Sequence, residues 1–151
     1  MPLRAARDWL YWLVVATFVA AVTAYLGFQA AHLVKYPPPL VMKLLEGPAA
    51  VKAGEPAVFT LELDRRRSCP AEVDRFWVGK DEIIRLPSIP AGASPIGVSV
   101  VTYRIPTAGL DYNGNTYRLT PGAWVFVAQG QHYCDDQLLS TRTPPIQLQV
   151  E

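Results

Sequence analysis

The stretch "QHYCDDQ", residues 131–137, places His132, Cys134, Asp135 and Asp136 within five positions. Those residue types serve three chemistries: a metal centre, a thiol activated by its base, or half of a disulfide. A zinc site needs about four ligands, in paired Cys or His spacings. His132 and Cys134 could both ligate, but no second pair accompanies them. A blue-copper site needs two histidines, a cysteine and an axial ligand, often methionine. The chain has only His32 and His132, and no methionine after Met42. A serine nucleophile needs a base oriented by a third group, and no G-x-S-x-G motif is present. Asp135 and Asp136 are adjacent, so in an extended chain they point to opposite faces. No phosphate-binding glycine loop occurs. The residues imply no catalytic site, metal, cofactor or small-molecule substrate, and the chain reads as not an enzyme.

The elements that carry these residues begin with a membrane segment. From Trp9 to Ala31 the sequence has no charged residue and no proline. At 1.5 Å per residue, that run as a helix matches the ~30 Å of a bilayer core. Trp9, Tyr11, Trp12 and Tyr25 resemble interfacial anchors. A cleaved signal peptide has an apolar region of about 7–15 residues and a small-residue cleavage site. This run is longer and carries bulky Tyr25, Leu26 and Phe28, which favours an uncleaved anchor in the lipid bilayer. Arg4 and Arg7 precede it and Lys35 and Lys43 follow, a gentle lean toward a cytoplasmic N-terminus. Small residues recur every fourth position (Ala16, Ala20, Ala24), as helix-packing faces do, but alanine is abundant in such segments. The organisation expected is a cytoplasmic flank (1–8), a transmembrane helix (9–31), a proline-rich linker (32–39) and one outer domain (40–151).

The outer domain reads as strands. "AVFTLELD" (57–64) places Phe59, Leu61 and Leu63 on one face, and "PIQLQVE" (145–151) does the same with Ile146, Leu148 and Val150. Strands are also expected at 40–46, 72–79, 81–87, 95–106 and 122–134. Seven strands, with 14 prolines and 10 glycines in the chain, predict an all-β antiparallel sandwich. The chain carries 14 basic and 13 acidic residues, so no global attraction to nucleic acid follows.

"VKAGEPAVFTLELD" resembles the A-to-B passage of immunoglobulin-like and fibronectin type III-like domains. "TPGAWVFVAQGQHYC" resembles their F strand, entered through a Pro-Gly turn. One anchor helix followed by one small sandwich with "RRRSCP" and a late "HYC" is similar to membrane-anchored proteins of tailed bacteriophages. The cysteines lie beyond the strand ends, and Trp77 follows Cys69 more closely than the usual core tryptophan of antibody-type domains. In the sandwich topology strands B and F run in the same direction, one in each sheet. Cys69 follows B and Cys134 ends F, so a Cys69–Cys134 disulfide is implied. It would bring Arg65–Arg67 toward Asp135 and Asp136, and it requires an oxidising compartment, hence a periplasmic or extracellular domain on an inner-membrane anchor.

"LDYNGNTYRL" (110–119) sets Asp111, Asn113 and Asn115 at alternate calcium-loop positions, but Thr116 and Gly122 stand where glycine and glutamate belong. Asn113-Gly114 instead signals a hairpin turn. Its tip (Tyr112, Asn113 and Tyr117) is the candidate partner-binding site, since tyrosine is enriched at interfaces. Two functions are expected: a single-pass membrane module for protein–protein contact, or a phage-encoded envelope effector in lysis or superinfection exclusion, acting through its span. Gene neighbourhood separates them.

Overall fold

The uncharged run folds as one long helix because nothing in it breaks the hydrogen-bond ladder. A computed structural model describes residues 2–35, 37–48 and 50–151. The chain divides into two compact units, Met1–Pro37 and Pro38–Glu151. In the first, helix α1 spans Pro2–Lys35. Proline is tolerated at a first helical position, where its missing N–H has no intrahelical partner anyway. The helix therefore takes in most of the expected flank and the first residues of the expected linker. His32–Lys35 contains no breaker, and the donor-less prolines begin only at Pro37. Within α1, Tyr11–Ala31 is long and apolar enough to cross a membrane. Its polar side chains find partners on the helix itself: Thr17 and Thr23 Oγ1 donate to the Leu13 and Val19 carbonyls, each at 2.8 Å. Both hydroxyls are thereby satisfied within the helix.

In the second unit the chain forms antiparallel strands: β1 (Leu40–Glu46), β2 (Ala57–Arg65), β3 (Ala71–Val78), β4 (Ile83–Ala91), β5 (Gly97–Ile105), β6 (Ala108–Leu110), β7 (Thr116–Arg118), β8 (Gly122–Cys134), β9 (Gln137–Arg142) and β10 (Ile146–Val150). One sheet has the order β1-β2-β5. The other has the order β10-β8-β3-β4, with β9 also paired to β8, and β6 and β7 form a separate ribbon. Among the described residues, ten strands thus replace the seven expected. All seven expected segments are present, and the additions are β6, β7 and β9. Three residues per strand give β6 and β7 too short a run for alternation to register. In β9 the adjacent Leu138 and Leu139 break the period of two. β4 continues through Pro87 and Pro90, which an edge strand tolerates because one set of its amides faces outward.

The two sheets share one core. Phe59, Leu61 and Leu63 from β2 are buried, as are Trp77 from β3, Trp124 and Phe126 from β8, and Ile146, Leu148 and Val150 from β10. Phe126 is the junction. Its ring centroid lies 5.1 Å from that of Trp77 in its own sheet and 5.5 Å from that of Phe59 across the gap. Trp77 is fully buried, and its indole N–H donates to the Pro106 carbonyl at 3.1 Å, so the ring brings no orphaned donor inside. Gly79 is dictated by close approach, because a Cβ there would stand 3.0 Å from the Trp124 ring.

Phe126→Ala should cost about 3–5 kcal/mol of unfolding free energy, measured by urea denaturation. The exposed Ile83→Ala in β4 should change it by under ~0.5 kcal/mol. Equal effects would contradict a core centred on Phe126.

Candidate functional site

The residues of 131–137 sit where β3 and β8 run out. These strands pair antiparallel with Ala71 opposite His132 and Trp77 opposite Phe126. The backbone continues that register, since Tyr133 N–H donates to the Pro70 carbonyl at 2.9 Å. One step further, Cys69 meets Cys134 in a disulfide with a Cα separation of 5.3 Å, within the range such bonds require. The cystine therefore joins neighbours within one sheet. The expected bridge between strands of opposite sheets is corrected: after β2 the chain has already crossed over when it reaches Cys69. Cys134 shares the inward parity of Phe126, Ala128 and His132, and it is buried.

Asp135 and Asp136 are not extended. Both adopt positive φ, 46° and 62°, and form the two-residue turn that joins β8 to β9 with Cys134 opposite Gln137. Positive φ at both central positions marks the turn whose twist suits a hairpin, and aspartate tolerates that region better than most residues. Opposite charges do meet here, as expected of a closed bridge: Arg67 Nη2 lies 2.7 Å from Asp135 Oδ2. The carboxylate is largely exposed, so the pair contributes at most about 1 kcal/mol.

His132 is buried and its Nε2 is 2.7 Å from Thr141 Oγ1 on β9. The space for that contact exists because residue 130 is glycine; a Cβ there would stand 3.0 Å from both His132 Nε2 and Thr141 Oγ1. Burial lowers the His132 pKa below its ordinary value. The ring thus serves as a neutral cross-strand hydrogen-bonding group.

The 110–119 stretch forms the β6–β7 ribbon with a five-residue connection rather than a bare Asn-Gly turn. Gly114 N–H donates to the Asp111 carbonyl at 3.1 Å, Asp111 N–H donates to the Asn115 carbonyl at 2.8 Å, and Gly114 has φ +82°. That is a β-turn followed by a left-handed glycine. Asp111 Oδ1 accepts from the N–H groups of Asn113 (2.9 Å) and Asn115 (2.8 Å), so its carboxylate shapes the turn. Of the three expected contact residues, Tyr112 and Asn113 are exposed and Tyr117 is half-buried against the core. Tyr117 hydroxyl donates to the Pro106 carbonyl at 2.9 Å, and burial raises its pKa. The Tyr112 ring carries the Arg85 guanidinium 3.9 Å above its centroid, and its N–H donates to the Arg85 carbonyl at 2.7 Å. The ribbon is thereby strapped to β4.

A surface feature that the residue-level reading passed over is the edge formed by β5. Among the described residues it pairs with β2 alone, over nine positions from Gly97 to Ile105, and it contains no proline. Val98 and Val100 are 67% and 60% exposed on its outward face. The other open edge with comparable length, β4, is interrupted by Pro87 and Pro90. The signal was present in "GVSVVTYRI": apolar residues occupy both parities, so one set had to face outward.

No protein-family model matches the chain, and no curated protein matches it. Among solved structures, it is similar to a β-glucosidase from Listeria innocua, with a TM-score of 0.43 and 7% identity over 76% of this chain. A gluconolactone complex of that glucosidase aligns at TM-score 0.41 with 10% identity over 75% of this chain. A β-glucosidase from Erythrobacter marinus aligns at 0.37 with 16% identity over 74%. This chain spans only 16% of the Listeria chains and 15% of the Erythrobacter chain. These neighbours are enzymes, so the expectation that the chain is not an enzyme is corrected and withdrawn. Likeness at this level passes on neither a catalytic residue nor a substrate.

Reducing the Cys69–Cys134 bond, which closes 65 residues, should lower stability by about 4 kcal/mol in the chain-entropy description. A shift of the urea midpoint equivalent to under ~1 kcal/mol would contradict that. A separate pH effect follows from His132. Its folded pKa is depressed, so the unfolded chain binds more protons below the ordinary ~6.5. Melting temperature should fall as pH drops below that value and level off once the folded imidazole also titrates. His132→Gln, which keeps a hydrogen-bonding group toward Thr141, should flatten this segment of the profile. An unchanged slope would assign the effect to other groups.

Proposed function

We propose that the chain is a single-pass membrane protein whose immunoglobulin-like β-sandwich makes protein–protein contacts on the non-cytoplasmic side, with a cytoplasmic N-terminus. The observation that carries this reading is the β5 edge. A strand at a sheet edge offers unpaired N–H and C=O groups, and natural proteins blunt such edges with prolines, charges or bulges. β4 has two prolines, and β1 has a bulge between Leu44 and Glu46. β5 has neither proline nor bulge, its one charge (Arg104) lies toward its far end, and it adds two exposed valines in alternate positions, Val98 and Val100. An extended segment of a partner protein adding to β5 gains main-chain hydrogen bonds, and the valines supply apolar contacts beside them. Tyr112 and Asn113, exposed at the ribbon turn, are a second candidate contact.

The anchor and the compartment are supported by two features. Tyr11–Ala31 has the length and composition of a span. The Cys69–Cys134 bond belongs to an oxidising compartment, which agrees with the charge distribution around the helix. The immunoglobulin-like assignment is supported by two antiparallel sheets sharing one core.

A photo-crosslinking residue at position 100, in intact membranes, should capture a partner, whereas one at exposed position 83 on β4 should not. Val98→Lys should abolish capture from position 100 while changing stability by under ~0.5 kcal/mol. Equal capture from both positions, or capture that survives the lysine, would contradict contact through β5.

A further inference from the structure

Between the two sheets, beside the cystine, lies a cavity of about 440 Å³. Protein interiors are close-packed, with few voids larger than a water molecule, and this volume falls in the ~300–1,000 Å³ range of small-molecule sites. Its walls are chiefly apolar, with Leu61 and Leu63 from β2, Val73 from β3, and Phe126 and Ala128 from β8. Four arginines also line it (Arg65, Arg67, Arg75 and Arg104), and no aspartate or glutamate does.

The arginines are unevenly engaged. Arg75 shares the parity of Ala71, Val73 and Trp77, the core-facing residues of β3. Its Nη2 donates to the Pro87 carbonyl at 2.7 Å, while its Nε is buried with no hydrogen-bond partner among the described residues. Arg67 gives Nη2 to Asp135, and its Nη1 is likewise buried and unpartnered. A buried donor on a charged group is costly to leave unmatched, and native proteins rarely do so. A guanidinium is matched best by the oxygens of a carboxylate or phosphate. Burial works against the Arg75 charge, lowering its pKa, yet a guanidinium stays protonated. An anion beside it offsets that penalty.

We propose that this inter-sheet cavity binds a single-chain anionic amphiphile, its acyl tail along the apolar wall and its carboxylate or phosphate oxygens on Arg67 and Arg75. An inorganic anion would leave the apolar wall unused, and a neutral lipid would leave the two donors unmatched. The site is distinct from the proposed β5 contact, because Val98 and Val100 do not line the cavity; β5 reaches it only at its far end, through Tyr103, Arg104 and Ile105.

The test is titration calorimetry of the full chain in phosphatidylcholine nanodiscs at pH 8, with empty discs as the blank. Dodecanoate should bind saturably, one per chain, and about tenfold tighter than dodecanol of the same chain length, as expected for a charge-assisted hydrogen bond. Arg75→Met and Arg67→Met, which keep an apolar stem, should each weaken dodecanoate about tenfold and leave dodecanol unchanged. Equal affinity for the two ligands, or no saturable heat above empty discs, overturns the proposal on the unaltered protein, whatever the variants do to folding. Repeating the titration in discs containing lysophosphatidylglycerol, a single-chain anionic lipid, with phosphatidylglycerol discs of equal charge as the reference, separates two sources of the ligand. Dodecanoate binding weakened only by the lysolipid identifies a single-chain anionic lipid of the bilayer as the occupant, and binding equal in the two discs identifies a free acid; both results support the site.

Discussion

Eight consecutive residues of β3 lie opposite eight of β8, from Ala71 against His132 to Val78 against Val125, and most of the Pro38–Glu151 unit hangs on that ladder. Its inward parity sets Trp77 beside Phe126, and Phe126 reaches Phe59 in the facing sheet. β8 is long enough, at 13 residues, to pair β10 along its first half and β9 along its second. Past its last sheet positions the same register brings Cys69 to Cys134, so the cystine is the covalent continuation of a hydrogen-bonded ladder. It fixes two strands whose sequence separation makes their pairing expensive in loop entropy.

Much of this was legible in the chain. Ile146, Leu148 and Val150 alternate with three polar or charged neighbours, and all three are buried in β10. Phe59, Leu61 and Leu63 behave alike in β2. The pairing of the two cysteines follows from the sequence, but its place does not: register between distant strands leaves no local trace, and the bridge lies within one sheet rather than between two. Short-range patterns misled in other places for physical reasons. Asp135-Asp136 carries no glycine, yet both residues occupy the left-handed region that a tight hairpin needs. Tyr117 looked like a tip residue because it follows Asn113-Gly114, but a five-residue connection turns it back onto Pro106.

The two surfaces with functional promise share one cause of concealment. Alternation treats each strand position as apolar-in or polar-out. Arg75 breaks that rule from the inside, as a charged residue on the core face of β3, and Val98 and Val100 break it from the outside, as apolar residues on the solvent face of β5. Places where patterning and placement disagree are where function is expected to reside. Neither Arg75 nor the two valines belong to "QHYCDDQ", which contributes a cystine, a turn and, at the cavity wall, a buried imidazole–threonine contact.

The Cys69–Cys134 bond links the fold to the proposed compartment, since the bond that closes the β3–β8 ladder is of a kind that persists in oxidising environments. The direct measurement is thiol trapping in intact cells, followed by mass mapping of a non-reduced digest of the membrane fraction. The account predicts that the peptides carrying Cys69 and Cys134 are recovered joined. Recovery of both as trapped free thiols would contradict the cystine and, with it, the assignment of the domain to the non-cytoplasmic side.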